Sequence, residues 1–117
     1  IYASYSAESG KNSGGGILWF TPHDGLIRFV EGELYGYADE RLRTVIAPKY
    51  IWADDFQEGR AVVESERGLG LIDKAGREII SAEYDDLRYD IYSGESEGNK
   101  NGLRFVFGYD GHLIDKS

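Results

Sequence analysis

The 117-residue chain contains no cysteine, and it has no apolar run of the roughly 18 to 20 residues that a helix needs to cross a bilayer. The missing cysteines exclude disulfide frameworks, thiolate zinc sites and cysteine nucleophiles, and they leave the redox compartment open. A chain of this length builds one domain around a single core. We therefore expect one activity at most and no membrane partner.

Basic side chains are outnumbered, because 13 lysines and arginines stand against 21 aspartates and glutamates, for a net charge of -8. Binding to a nucleic-acid backbone requires a basic stripe, so this composition argues against a nucleic-acid partner. A basic protein partner is compatible with the charge. The composition leaves one alternative open, in which the acidic surface only keeps the protein soluble.

The first 16 residues differ in composition from the rest of the chain. The segment IYASYS has the β-propensity to form a short strand. The polar, glycine-rich SAESGKNSGGG that follows it offers too little apolar surface to offset the entropy lost on ordering. We therefore expect an N-terminal strand and a flexible loop over residues 1–16, and a β domain over residues 17–117.

The rest of the chain consists of short apolar segments rich in Val, Ile, Tyr, Phe and Trp, separated by turn residues. Segments of this kind, recurring about every 8 to 12 residues, are typical of an antiparallel all-β meander. Proline and glycine in Thr21–Gly25 predict a tight reversal, and Tyr109–Gly111 is predicted to form another. From Tyr84 onward the pattern predicts a strand that ends in a long polar loop.

A shift of 34 positions superimposes one part of the sequence on another. Gly36 then falls on Gly70, and three further matches are Asp39 on Asp73, Arg43 on Arg77, and Tyr50 on Tyr84. A weaker third copy places Phe105–Phe107 where Gly70–Ile72 stand, with one residue inserted. A period of this size marks a unit that buries its apolar face only by stacking on its neighbours. We expect each unit to have three strands.

The text FQEGRAVVESERGLGLIDKAGREIISAEYDDL, from Phe56 to Leu87, resembles the bacterial WG repeat. The matching features are F-x-E-G at Phe56–Gly59, the glycine of the aromatic-glycine pair at Gly70, and the closing Tyr84–Asp85. About two and a half copies cover residues 26–114, although Tyr35 and Leu69 replace the name-giving tryptophan and Leu42 replaces a turn glycine. The resemblance implies an all-β scaffold with no cofactor and no reaction. We expect an antiparallel meander of about eight to nine short strands, built from three-stranded repeats, in a curved or barrel-like sheet.

The residue types that carry catalysis are poorly placed in this sequence. Gly68–Gly70 is not followed by a helix, so it lacks the helix N-terminus that makes such loops bind phosphate. His23 and His112 lie in predicted turns without a second histidine at ligand spacing. The acidic pairs Asp54–Asp55 and Asp85–Asp86 occupy equivalent places in successive repeats, which favours a strand-end or turn role over glycosidase or calcium chemistry. We therefore expect no enzymatic activity.

The remaining signal is an acidic segment with interspersed aromatics. Six acidic residues and the single basic residue Arg88 lie between Glu83 and Glu97. Aromatics supply contact area and acids steer a basic partner, so such a face suits protein binding. The predicted partner-binding residues are Asp54, Asp55, Glu58, Glu83, Asp85, Asp86, Tyr89, Asp90, Tyr92 and Glu95.

The alternative interpretation makes the aromatics core and the acids their solvated flanks. We favour a core position for four of them, namely Tyr50, Trp52, Phe56 and Tyr84. We expect Tyr89 and Tyr92, which fall on the predicted loop, at the surface.

These observations predict a non-enzymatic acidic module that binds a basic protein. The concrete version is an immunity protein that blocks a secreted bacterial toxin domain, such as a nuclease. The alternative is a cell-envelope or secreted module that binds carbohydrate or peptide through Trp19, Trp52 and the tyrosines. The chain begins at Ile1 and contains no methionine, which suggests that a leader or tag-bearing start has been lost. We expect a bacterial cytoplasmic protein, or a periplasmic or secreted one if a signal peptide preceded Ile1.

Overall fold

A computed structural model describes residues 16–117, and these residues form twelve β-strands in three four-stranded antiparallel sheets. The first sheet contains β1 (Ile17–His23), β2 (Leu26–Glu31), β3 (Leu34–Ala38) and β4 (Thr44–Tyr50). The second contains β5 (Trp52–Ala53), β6 (Arg60–Ser65), β7 (Gly68–Asp73) and β8 (Glu78–Tyr84). The third contains β9 (Asp86–Tyr89), β10 (Ser96–Lys100), β11 (Leu103–Phe107) and β12 (Leu113–Lys116).

The predicted all-β antiparallel fold is confirmed, with more strands than the eight or nine expected. The strands of each sheet lie in chain order and the sheets stay open. No helix that could cross a membrane occurs in the part of the chain that the structure describes. The strand and loop predicted for residues 1–16 lie, apart from Gly16, outside the described residues.

The repeat seen in the sequence is also a repeat of strand pairing. Strands β2, β3 and β4 begin at residues 26, 34 and 44, and β6, β7 and β8 begin at residues 60, 68 and 78. The third copy follows with one inserted residue, since β11 and β12 begin at residues 103 and 113. The register is kept as well, and the corresponding pairs are Phe29 with Gly36, Val63 with Gly70, and Gly98 with Phe105.

Each unit has four strands rather than the predicted three, because β1, β5 and β9 add a first strand to their sheets. The predicted long polar loop is also wrong, since it contains β10. The β10 sequence SEGNK has low β-propensity, but its backbone pairs with β9 on one side and β11 on the other. Asn101 and Gly102, with φ of 54° and 79°, form the tight hairpin turn into β11.

Two kinds of turn hold the units in register. The predicted reversal at Thr21–Gly25 is confirmed, with positive φ at Asp24 and Gly25 between the paired His23 and Leu26. In the β3–β4 turn, the Asp39 carboxylate accepts hydrogen bonds from the backbone N–H groups of Arg41 and Arg43. The Arg43 hydrogen bond lowers the pKa of Asp39, and Asp73 forms the equivalent turn with Arg77 in the second sheet.

The apolar side chains form two clusters, one on each side of the second sheet. The first lies between the first and second sheets and contains Leu26, Tyr37, Ile46, Tyr50, Ala53, Phe56, Ala61, Val63 and Ile72. The second, between the second and third sheets, is built on Leu71, Ile80, Leu87 and Phe107. Gly70 permits the close approach of β7 and β8, because a Cβ there would lie 2.5 Å from the Cα of Ala82. The glycine of the aromatic-glycine pair is therefore a packing requirement.

Three of the four aromatics assigned to the core lie there. Tyr50 and Phe56 are buried in the first cluster, and Tyr84 is half-buried against the second. Trp52 was assigned wrongly, since it remains 40% exposed and meets Tyr35 edge to face. Its strand β5 has only two residues, so the sheet does not extend far enough to cover the indole.

Candidate functional site

The outward face of the third sheet differs chemically from the same face of the other two. In the first sheet this face presents Leu26, Tyr35, Tyr37 and Ile46 to the second sheet. The corresponding residues of the second sheet, 34 positions later, are Arg60, Leu69, Leu71 and Ile80. In the third sheet, a further 35 positions on, they are Glu95, Arg104, Val106 and Asp115. A face that is largely apolar in the first two units is thus largely ionic in the third.

This ionic face carries an open groove of about 400 Å³, which we call the end groove. Its lining comes from β9, from β10 and β11, and from the turn that joins β9 to β10. The charged and aromatic residues that line it are Arg88, Tyr89, Asp90, Glu95, Glu97 and Arg104. The end groove lies on the face on which a following unit would stack in an apolar repeat. No described unit covers this face, so its charges face outward.

Glu97 lies at the centre of the electrostatics of the end groove. Its carboxylate is 3.3 Å from Nη2 of Arg88 and 2.8 Å from Nε of Arg104. Hydrogen bonding by Arg104 lowers the pKa of Glu97. Arg104 also lies 3.8 Å from the Asp115 carboxylate. Both arginines are therefore already engaged with acids.

Two carboxylates in the end groove have no cationic partner in the part of the chain that the structure describes. Neither Asp90 nor Glu95 forms an ion pair with any of residues 16–117. Asp90 accepts a hydrogen bond from the backbone N–H of Tyr92 at 2.9 Å, and this bond lowers the pKa of Asp90. No cation of residues 16–117 therefore neutralises either carboxylate.

The structure brings only part of the predicted partner-binding set together. Tyr89, Asp90 and Glu95 share the end groove. Tyr89 also lines a second groove of about 380 Å³ between the second and third sheets, together with Asp54 and Asp55. Glu58 lines a third groove. The remaining four predicted residues, which line none of these three grooves, are Glu83, Asp85, Asp86 and Tyr92.

Several of the predicted acids have intramolecular partners. Glu83 forms an ion pair with Lys100 at 2.8 Å, between β8 and β10. Asp85 accepts a hydrogen bond from the backbone N–H of Asn101 at 3.1 Å. Asp55 lies 3.4 Å from Nε of Arg28. These carboxylates hold strand ends and turns, in addition to any role at the surface.

The two loop tyrosines differ in exposure. Tyr92 is 93% exposed, as predicted. Tyr89 is half-buried against the second cluster and also lines the end groove. The prediction that it lies at the surface is therefore only partly correct. Burial raises the pKa of Tyr89.

Sequence reasoning did not assign Arg88, Glu97 and Arg104 to the site. The signal for them lies in the third repeat, where Glu97 takes the place of Val62 and Arg104 that of Leu69. Charged residues at positions that are apolar one repeat earlier indicate a face that meets solvent.

Neither histidine nor either tryptophan belongs to the end groove. Nε2 of His23 lies 3.4 Å from the Asp55 carboxylate, and His112 contacts Asp110. Within residues 16–117, no group of three or more His, Cys, Asp or Glu side chains is arranged to hold a metal ion. Trp19 packs on Phe29, with ring centroids 5.0 Å apart.

Three antiparallel sheets that repeat one strand register define an all-β repeat protein. A family model described as the WG containing repeat matches residues 35–66 and 70–94. These two segments are therefore copies of the WG-containing repeat, as the sequence resemblance predicted, and this family suggests a protein-interaction module. No curated protein and no solved structure gives a significant match to the chain.

Proposed function

We propose that the protein is a non-enzymatic binding module whose end groove takes a basic segment of another protein. One observation carries this proposal: the stacking face of the third unit is open and holds Asp90 and Glu95 without cationic partners among residues 16–117. Carboxylates with this freedom attract lysine or arginine and disfavour acidic partners. The net charge of -8 adds a long-range attraction for a positively charged partner.

The junction of the first and second sheets indicates how an extended segment docks on this face. There, Nη1 of Arg28 donates a hydrogen bond to the backbone carbonyl of Ala53 at 2.7 Å. The hydroxyl of Tyr37 donates to the backbone carbonyl of Asp54 at 2.6 Å. The corresponding residues of the third sheet are Glu97 and Val106, so the donors of the first sheet are replaced by an acceptor and an apolar side chain. The end groove therefore favours a segment that brings its own donors.

The concrete form of the proposal is an immunity protein that covers the cationic substrate site of a bacterial toxin domain, such as a nuclease. The support is chemical: a small acidic module, 46 × 29 × 19 Å in extent, presents an open acidic groove at one end. Carbohydrate stacking on the two tryptophans has less support, because Trp19 packs on Phe29 and Trp52 on Tyr35.

The test measures, by calorimetry, the affinity for the protein encoded by the gene next to the one for this chain. The measurement is then repeated with the double variant Asp90→Lys and Glu95→Lys. We expect the affinity to fall at least about tenfold at physiological salt, because two attractive contacts become repulsive. The matched control is Glu40→Lys with Glu66→Lys, which reverses two exposed acids outside the end groove and is expected to change the affinity less than about threefold.

Equal losses in the two double variants would show that only net charge matters and would overturn the end groove as the site. Failure of the neighbouring gene product to bind would overturn the immunity role.

A further inference from the structure

Arg60 is a buried cation that is not paired with an acid of the described residues. Its side chain at the start of β6 is part of a residue only 7% exposed. Nη1 of Arg60 is buried and makes no hydrogen bond with any residue from 16 to 117. None of the ion pairs among residues 16–117 includes Arg60. A buried charge without a partner is costly, so its presence calls for a physical reason.

The fold itself does not require a cation at this position. The equivalent residue of the first sheet is Leu26, which is buried in the first cluster. The equivalent residue of the third sheet is Glu95, which is exposed in the end groove. A leucine would therefore suit the backbone and the burial of position 60.

The surroundings of Arg60 leave the edge of its guanidinium as the place for a ligand. The guanidinium carbon lies 3.9 Å from the centroid of the Tyr109 ring, which covers one face. Tyr109 is itself exposed, in the turn between β11 and β12. A carboxylate binds a guanidinium in the plane of its N–H groups, and an aromatic ring stacked on the face is compatible with that geometry.

Two grooves meet at Arg60. One, of about 550 Å³, is lined by Glu58, Asp73, Arg77, Glu78 and Tyr109 together with Arg60. The other is the groove of about 380 Å³ that includes Asp54, Asp55 and Tyr89. Arg60 forms part of the wall of both, so a ligand in either groove reaches the same side chain.

The acids of the larger groove restrict the ligand further. Asp73 is paired with Arg77 at 2.8 Å. Glu78 accepts a hydrogen bond from the backbone N–H of Ala82 at 3.2 Å. Glu58 is exposed and forms no ion pair with any residue that the structure describes. Both acids would repel a ligand that carried only negative charge. A ligand with a cation next to its carboxylate would satisfy both Arg60 and Glu58.

We propose that Arg60 is a binding site for a carboxylate, carried by a peptide segment in which aspartate or glutamate stands next to lysine or arginine. The guanidinium takes the carboxylate in its plane, and Glu58 takes the neighbouring cation. Arg60 does not line the end groove, although Tyr89 lines both that groove and the smaller groove at Arg60. The Arg60 site stands whether or not a basic partner binds in the end groove.

The test uses two short peptides, N-acetyl-Lys-Glu-Lys-amide and its glutamine counterpart N-acetyl-Lys-Gln-Lys-amide. Each is titrated into the full chain while the arginine Nε–Hε signals are followed by NMR. We expect the Arg60 signal to move saturably with the glutamate peptide and at least about fivefold less tightly with the glutamine peptide. Inorganic phosphate, added in a separate titration, tests whether a bare anion binds more tightly than the peptide.

Arg60→Leu removes the guanidinium and introduces leucine, the residue that the first sheet has at the equivalent position 26. We expect this variant to remain folded and to lose the preference for glutamate over glutamine. The matched control is Arg77→Leu, an arginine of the same groove whose guanidinium is exposed and already paired with Asp73, and it should keep that preference. Equal affinity for the two peptides, an unmoved Arg60 signal, or tighter binding of phosphate than of peptide would overturn the proposal.

Discussion

Arg28 donates a hydrogen bond from Nη1 to the backbone carbonyl of Ala53 at 2.7 Å, and this contact ties the first sheet to the second. The same guanidinium lies 4.1 Å from the Phe20 ring centroid and 5.4 Å from that of Trp52. Asp55, 3.4 Å from Nε, supplies the opposite charge. One side chain thus joins a backbone carbonyl, a carboxylate and two aromatic rings across the first junction of the stack.

We expect Arg28→Ala to destabilise the protein by about 2 to 3 kcal/mol, because it removes a charged hydrogen bond and leaves the Ala53 carbonyl without its donor. The measurement is urea unfolding followed by tryptophan fluorescence. Arg41→Ala, at an exposed turn position, is the control and should cost less than about 0.5 kcal/mol. A loss below that limit in Arg28→Ala would contradict a role in joining the sheets.

Ser96→Ala should stabilise the protein by about 1 kcal/mol, because a buried hydroxyl without a hydrogen bond is removed. Ser96 is 3% exposed and its Oγ has no hydrogen-bond partner among the described residues, whereas Ala61 occupies the same position one repeat earlier. The midpoint of urea unfolding measures the gain. Ser81→Ala, on an exposed position of β8, should change the stability by less than about 0.5 kcal/mol. A destabilised Ser96→Ala protein would show that the hydroxyl has a partner that these contacts do not include.

Leu42→Gly tests the strain of a turn. Leu42 has a φ of 65°, while Gly76 and Gly111 hold the equivalent turn positions of the other units with φ of 89°. A leucine with such a φ destabilises the folded state by about 1 kcal/mol or more. Glycine relieves this strain, but it also raises the conformational entropy of the unfolded chain, which offsets part of the stabilisation. We therefore expect a net stabilisation of about 0.5 kcal/mol in thermal or urea unfolding.

The control for the turn is Leu113→Gly, because Leu113 is also an exposed leucine but lies in strand β12. There glycine brings no relief of strain and should cost about 0.5 to 1 kcal/mol. Destabilisation of similar size in both variants would mean that Leu42 contributes packing that outweighs its backbone strain.

Glu97 predicts a defined acid dependence of stability. Hydrogen bonding by Arg104 lowers its pKa from the ordinary value of 4.5, so the folded state favours the ionised carboxylate. This contribution is complete above pH 4.5 and is lost as the pH falls through the lower pKa of the folded state. Carbon-13 NMR of the side-chain carboxyl should give a titration midpoint below 4.5.

The matched variants are Arg104→Leu, which removes the donor, and Arg43→Leu, which removes an exposed arginine that pairs with Asp39. The Glu97 midpoint should rise in the first and stay constant in the second. An unchanged midpoint in Arg104→Leu would show that the arginine does not hold the carboxylate in solution.

Sequence reasoning predicted the parts of the fold that depend on side-chain pattern. The shift of 34 that placed Asp39 on Asp73 also relates the first residues of three strands in the first sheet to those of three in the second. The strand β10 was missed because polar side chains and a glycine carry no β signal, and only backbone pairing on both sides makes the strand. Its Asn101-Gly102 turn was the available signal.

The site was predictable only where the residues are consecutive or share a loop. Tyr89, Asp90 and Glu95 fall within one segment and share the end groove. Arg104 comes from β11 and joins them only when the third sheet is assembled. Arg60 was not predicted as a site, because a single arginine at the start of a strand carries no pattern and its lack of a partner is a property of the packing.

The ionic face of the third sheet also bears on how copies of this protein behave at high concentration. Stacked β-units with matching apolar ends can add to one another head to tail, and an interface of that kind grows into filaments when it does not close. Contact through the end groove would bury Asp90 and Glu95 without cations, which is unfavourable for a self-copy that does not supply them. The first sheet has Leu26 where the third sheet has Glu95, and this change from leucine to glutamate therefore works against polymerisation through the end groove.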